Sequence, residues 1–183
     1  IHVVNELPLE RNVTLSLACL KDGQVPVVSG KLDLALAPHS ARTLNSVDLI
    51  GAFFDVTYAY RFGPPSHDVT VVRLSDPEGG DVLAEAFHFP LRFDPGRHQA
   101  ELGTGFSKSR TGLWQLELES DRLIRSVQIS CDTHLPDENW FHLAPGAKKK
   151  VGFRPTAGSG DPEEKPNFLI SALERVRLRV TAD

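Results

Sequence analysis

The chain has no methionine, two cysteines among 183 residues, and no apolar run near the roughly 18 residues that span a bilayer. Each shortage excludes something. Cys19 and Cys131 stand 112 positions apart in separate apolar runs, which rules out a disulfide-built scaffold. If the chain forms two domains, both are expected as free thiols in apolar surroundings. A net charge of −4 makes a strongly electrostatic nucleic-acid or membrane-surface binder the wrong default, so neither partner is expected. No nucleophile motif, metal-ligand spacing or phosphate loop occurs, so neither catalytic residues nor a cofactor are expected. The opening Ile1-His2-Val3-Val4-Asn5 carries no basic-then-apolar signal segment and reads as a strand. With the missing methionine, it leads to the expectation of a piece of a longer polypeptide.

What is present is a period of two. Apolar residues make up 40% of the chain, with ten phenylalanines, enough for one or two cores. Val13, Leu15, Leu17 and Cys19 alternate with Thr14, Ser16 and Ala18, as in a strand with one buried face. Asp22-Gly23 supplies a hairpin turn, because both residues tolerate positive φ. A second strand is predicted from Val27 to Leu36, stopped by Pro38-His39-Ser40, and Asp48–Phe53 is predicted as one helical turn. Strands follow at 55–62, 68–74 and 82–89. A break at residues 90–96 is expected to divide the chain into domains 1–92 and 93–183.

The second half repeats the pattern. Strands are predicted at 98–102, 112–119, 124–130, 142–143, 149–153, 168–173 and 175–180, with a Gly-, Pro- and Glu-rich loop over 155–166. Trp114, Leu116 and Leu118 oppose Gln115, Glu117 and Glu119. Val176, Leu178 and Val180 oppose an arginine row at 175, 177 and 179. Strands about every ten residues with no sustained 3.6 period predict an all-β chain of two tandem antiparallel Ig-like β-sandwiches.

The stretch Asp137-Glu138-Asn139-Trp140-Phe141-His142-Leu143-Ala144-Pro145-Gly146, followed by the basic run Lys148-Lys149-Lys150, is the most distinctive in the chain. It resembles the C-terminal Ig-like domain of the mannosidase-type family 2 glycoside hydrolases. In that domain an Asp-Asn-Tyr/Trp-Phe segment leads through Leu-x-Pro-Gly into a basic strand. Here Glu138 is inserted between the Asp and the Asn. The opening Val4-Asn5-Glu6-Leu7 and the close Phe87-His88-Phe89 are similar to the preceding sandwich, so the resemblance covers nearly the whole chain. It implies a non-catalytic region serving a β-mannosidase-like enzyme, whose two catalytic carboxylates sit on an upstream (β/α)₈ barrel. The implied partner is that barrel, in the same polypeptide; the alternative is a free-standing carbohydrate-binding or adhesive module.

Trp140, Asn139 and Asp137 are the candidate contact residues, for a glycan or another domain, because an indole plane suits the apolar face of a sugar. Trp114, in mid-strand, is expected in the core. His134, Asp137 and His142 lack a third short-spaced ligand and are read as polar strand and turn residues, not a metal set. Lys148 and Lys150 are expected on a solvated strand face or edge, where lysine discourages edge pairing.

Overall fold

The computed structural model describes residues 1–57, 63–78, 80–90, 100–156, 165–174 and 176–181. The chain divides into two compact units, Ile1–Phe93 and Asp94–Asp183. Both are built from antiparallel sheets in an all-β, sandwich-like arrangement. Among the described residues no helix is long and apolar enough to cross a membrane.

In the first unit, β1 (His2–Asn5), β2 (Arg11–Lys21), β3 (Val25–Leu36), β4 (Ser40–Thr43), β5 (Val69–Ser75) and β6 (Val82–His88) form two sheets, ordered β3-β2-β5-β6 and β1-β4. The β2–β3 hairpin turns at Asp22 (φ 53°) and Gly23 (φ 64°), and the Gln24 N–H donates to the Lys21 carbonyl at 3.1 Å. Two successive positive φ angles match the right-handed strand twist, which explains the tight return. Val13, Leu15, Leu17 and Cys19 face inward as their alternation requires, meeting Val3, Leu44 and Leu49 from the opposite side. The helical turn expected at 48–53 lies earlier: α1 runs Ser46–Ile50, opening at Asn45, whose N–H donates to Asp48 Oδ2 at 2.8 Å, and ending at Gly51. Asp55–Thr57 form a turn rather than the start of a strand; the rest of that predicted strand, 58–62, lies outside the described residues.

Gly30 decides how closely α1 can approach. A Cβ built there would lie 2.1 Å from the Leu49 carbonyl oxygen, so only glycine allows this helix onto β3.

The second unit holds β7 (Gly103–Lys108), β8 (Trp114–Glu119), β9 (Ile124–Ser130), β10 (His134–Pro136), β11 (Phe141–Leu143), β12 (Lys148–Pro155), β13 (Asn167–Ser171) and β14 (Arg177–Thr181). Its sheets are ordered β10-β12-β8-β7 and β11-β9-β13-β14. Leu116, Leu118, Val151 and Phe153 of the first meet Ile124, Val127, Ile129, Phe168 and Ile170 of the second in one core. The first strand is not at 98–102: residues 100–102 are irregular, 98–99 lie outside the described residues, and pairing begins at Gly103. Two glycines hid that strand, whose only large apolar residue is Phe106.

Lys148 and Lys150 do project to solvent, but β12 is no edge, since β8 pairs along one side and β10 along the other. Their heads meet Glu117 and Glu119 across the strand pair, as in an ordinary cross-strand charge ladder. Arg177 and Arg179 are exposed and Val176 is buried, in line with the predicted alternation. Arg175 and most of the 155–166 loop (157–164) lie outside the described residues.

Candidate functional site

Residues 137–140 of the distinctive stretch form the turn between β10 and β11, and the structure shows what each polar group of that turn does. Asp137 is tied to β12: its N–H donates to the Gly152 carbonyl at 2.9 Å and its Oδ1 accepts the Gly152 N–H at 3.0 Å. Asn139 is tied to β9 in the same two-handed way. Its Oδ1 accepts the Ile129 N–H at 2.8 Å and its Nδ2 donates to the Ile129 carbonyl at 2.9 Å. A side-chain amide thus stands in for a strand partner, giving both polar groups of Ile129 the bonds that half-buried backbone demands. Glu138 is exposed and accepts from Lys149 Nζ at 2.7 Å, and the same ammonium lies 5.1 Å from the centre of the Phe141 ring.

Trp140 is held quite differently. Its backbone sits at φ 60°, in the left-handed region, and its N–H donates to the Val127 carbonyl at 2.8 Å. For a bulky side chain this conformation costs about 1–2 kcal/mol. The indole gains little burial in return, for 61% of Trp140 is exposed. Of the three residues the sequence marked for contact, Asp137 and Asn139 shape the turn and Trp140 is what the turn presents.

The strand opposite is irregular too. Phe141 pairs with Val127 and Leu143 with Ile124, so two steps on β11 oppose three on β9. The extra residue is accommodated at Ser126, which takes φ 52°. The bulge brings Ile124 and Val127 onto the same buried face and turns Arg125 inward. There the Arg125 Nε donates to Glu174 Oε1 at 2.6 Å while Glu174 Oε2 accepts the Arg125 N–H at 2.6 Å. His142 completes this polar cluster by accepting the Ser126 N–H on Nδ1 at 3.0 Å. Burial, and then the Arg125 guanidinium, push its pKa below the usual histidine value. Nothing in their sequence context singles out Arg125 or Glu174; the apolar positions 124, 127 and 129, which break strict alternation, are the signal for the bulge.

The remaining candidates fall into ordinary roles. Trp114 is half-buried against the second unit's core, with the Phe106 ring stacked at 4.9 Å and Lys108 Nζ 4.7 Å from its centre. His134 is buried with Nδ1 at 2.9 Å from the Thr133 hydroxyl, so His134, Asp137 and His142 are engaged separately. Among the described residues no three metal-ligating side chains converge. Two grooves are also present. One of about 330 Å³ is lined by polar residues including Thr133, Lys165, Asn167 and Arg179, and an apolar one of about 280 Å³ lies between β1 and the β5–β6 face.

No protein-family model and no curated protein matches the chain. Solved structures match it in fold. The exo-chitosanase of Amycolatopsis orientalis aligns over 99% of this chain with a TM-score of 0.68 and 14% identity, and the match occupies 25% of that enzyme. A variant of the same enzyme in complex with PNP-β-D-glucosamine gives 0.66 at 15% identity, again over 99% of this chain and 25% of the other. The β-D-mannosidase of Dictyoglomus thermophilum gives 0.64 at 15% identity, over 91% of this chain and 19% of its own length. Both enzymes are family 2 glycoside hydrolases, the family that the Asp137–Gly146 stretch resembles. At these identities the likeness is one of fold, and the chain spans about a quarter or less of each enzyme's length.

Proposed function

We propose that this chain is a non-catalytic accessory region of a β-mannosidase-like family 2 glycoside hydrolase, the C-terminal pair of sandwiches, and that it packs on and stabilises the catalytic part. The observation that carries this reading is the fold match: nearly the whole chain aligns, but to only a quarter or less of two sugar hydrolases. The chemistry of the described residues supports it. Glycoside hydrolysis needs two carboxyl groups flanking one bond at about 5–9.5 Å. Around the Trp140 turn, the carboxylates of Asp137, Glu138 and Glu174 are engaged with a backbone amide, a lysine and a buried arginine respectively. The substrate class proposed for the whole enzyme is a β-linked hexopyranoside, as the names of both solved enzymes indicate for those proteins.

The test is an assay of the isolated chain with the p-nitrophenyl β-mannoside and β-glucosaminide. The expected result is no turnover with either. Hydrolysis above background that survives repurification would overturn the reading.

A further inference from the structure

The two sheets of the first unit are unequal: among the described residues, the four strands β3-β2-β5-β6 face the single pair β1-β4. Val3 and Leu44 cover β2, while Ala84 and Ala86 of β6 stay exposed. Their register partners on β5, Leu74 and Val72, turn toward the β1 side and are only partly buried there. This strip floors the apolar groove of about 280 Å³, and β1, from Ile1 to Val4, is its wall. The wall is polar. Ile1 and Leu44 exchange both backbone bonds, each at 2.9 Å. Along an antiparallel ladder such pairs alternate, so Val3–Arg42 and Asn5–Ser40 are the next bonded pairs. His2 and Val4 therefore turn their N–H and C=O groups away from β4 and toward the groove, where no described strand meets them. An extended backbone satisfies such an edge and lays alternate side chains on the floor. A compact apolar ligand would leave the edge unpaired.

We propose that this groove receives one extended strand, apolar at alternate positions, supplied by the enzyme's polypeptide outside these 183 residues. At the usual spacing of about 4.8 Å from β1, the strand lies over Val72, Leu74, Ala84 and Ala86. Its inward side chains cover that strip, where the two alanines leave room for branched ones. The facing sheet then has three strands, ordered β4, β1 and the incoming one. A second copy is the poorer occupant: pairing through its own β1 would bring its β5–β6 layer into the space that this layer fills. The rest of an enzyme has chain to spare, for the two aligned hydrolases keep three quarters or more of their length outside the match. That source rests on the accessory reading above; the groove's fit for a strand does not.

The experiment extends the whole 183-residue chain at Ile1, which lines the groove, by a Val-Thr-Val-Thr-Val strand and a Gly-Ser-Gly-Ser linker. The short tether presents the probe at about millimolar effective concentration. A control extension of equal length carries proline at alternate positions and cannot pair. By calorimetry and hydrogen exchange, the pairing extension is expected to raise the melting of the first unit by several degrees. It is also expected to slow amide exchange at His2 and Val4 by roughly tenfold or more. The control is expected to do neither. Val4→Pro removes an N–H that β4 does not use, so it should leave the unextended chain's melting level and abolish both gains in the extended one. Ala84→Glu, at an exposed floor position, should do the same by charging the floor. Equal behaviour of the two extensions would overturn the proposal, as would gains that survive both substitutions. A large loss of stability from Val4→Pro in the unextended chain would also overturn it, by showing that β4 uses this N–H. Dimers of the unextended chain that the pairing extension dissolves would give the groove to a second copy instead. Turnover in the p-nitrophenyl assay would remove the proposed source and leave the strand fit standing.

Discussion

Glu174 holds Arg125 twice: Oε1 takes the guanidinium Nε and Oε2 takes the backbone N–H, each at 2.6 Å, across 49 positions of sequence. Glu174 is fully buried and Arg125 nearly so, which makes this the most deeply buried charge pair among the described residues of the second unit. Removing one partner strands a buried charge, and that costs about 3–5 kcal/mol. Glu174→Ala is therefore expected to lower the melting of the second unit sharply. The double variant Arg125→Met, Glu174→Leu is expected to recover most of the loss. Thermal unfolding followed by Trp114 fluorescence measures both, and equal destabilisation by single and double variants would contradict the account.

His142 predicts a pH dependence. Burial disfavours its charged ring, and so does the nearby Arg125 guanidinium, so the folded pKa lies below the ordinary 6.5. Between that lowered value and 6.5 the unfolded chain binds more protons than the folded one, so stability falls as pH drops through this window and levels off below it. His142→Asn keeps an acceptor near the Nδ1 position and does not titrate. Its melting temperature is expected to vary less than the parent's between pH 7 and the acid end of the window. His67 in the first unit is lowered too, first by burial, so the parent–variant difference is the quantity to read.

Gly30→Ala tests the approach of α1 to β3. With 2.1 Å between the new Cβ and the Leu49 carbonyl oxygen, the helix must move and with it the buried Leu49 side chain. The expected loss is about 1–3 kcal/mol, the usual cost of overfilling a packed core. An unchanged unfolding midpoint would mean that α1 is not seated as described.

Asn139→Ala removes both bonds to Ile129 and leaves a half-buried N–H and C=O with no side-chain partner. Each unsatisfied group costs about 1–3 kcal/mol. The expected signs are a lowered melting temperature and faster amide exchange at Ile129. Asn139→Asp keeps the acceptor and loses the donor, so it should fall between the parent and the alanine variant.

The strands legible in the sequence were those whose partners did not matter. β2 and β8 declare themselves by apolar alternation, and the β2–β3 hairpin by Asp22-Gly23. β7 stayed hidden because Gly103, Thr104 and Gly105 carry no apolar signal, and pairing with β8 makes it a strand. The spacing of Lys148 and Lys150 marks a solvated face, but the interior place of their strand depends on β10, three residues with no pattern to detect. For the contact turn, the residue types pointed to Asp137, Asn139 and Trp140 together. Only their partners separate two fastenings from one presented ring.

Alternation, turn chemistry and composition are local properties, so the order of residues along the chain is enough to make it all-β and to locate most of its strands. Long-range packing sets what local pattern cannot carry: the bulge at Ser126, the Arg125–Glu174 pair, the close seat of α1 on Gly30 and the outward set of Trp140. Each of these joins groups far apart along the chain or fixes a backbone angle through such a partner. Their energies exist only once the sheets have assembled.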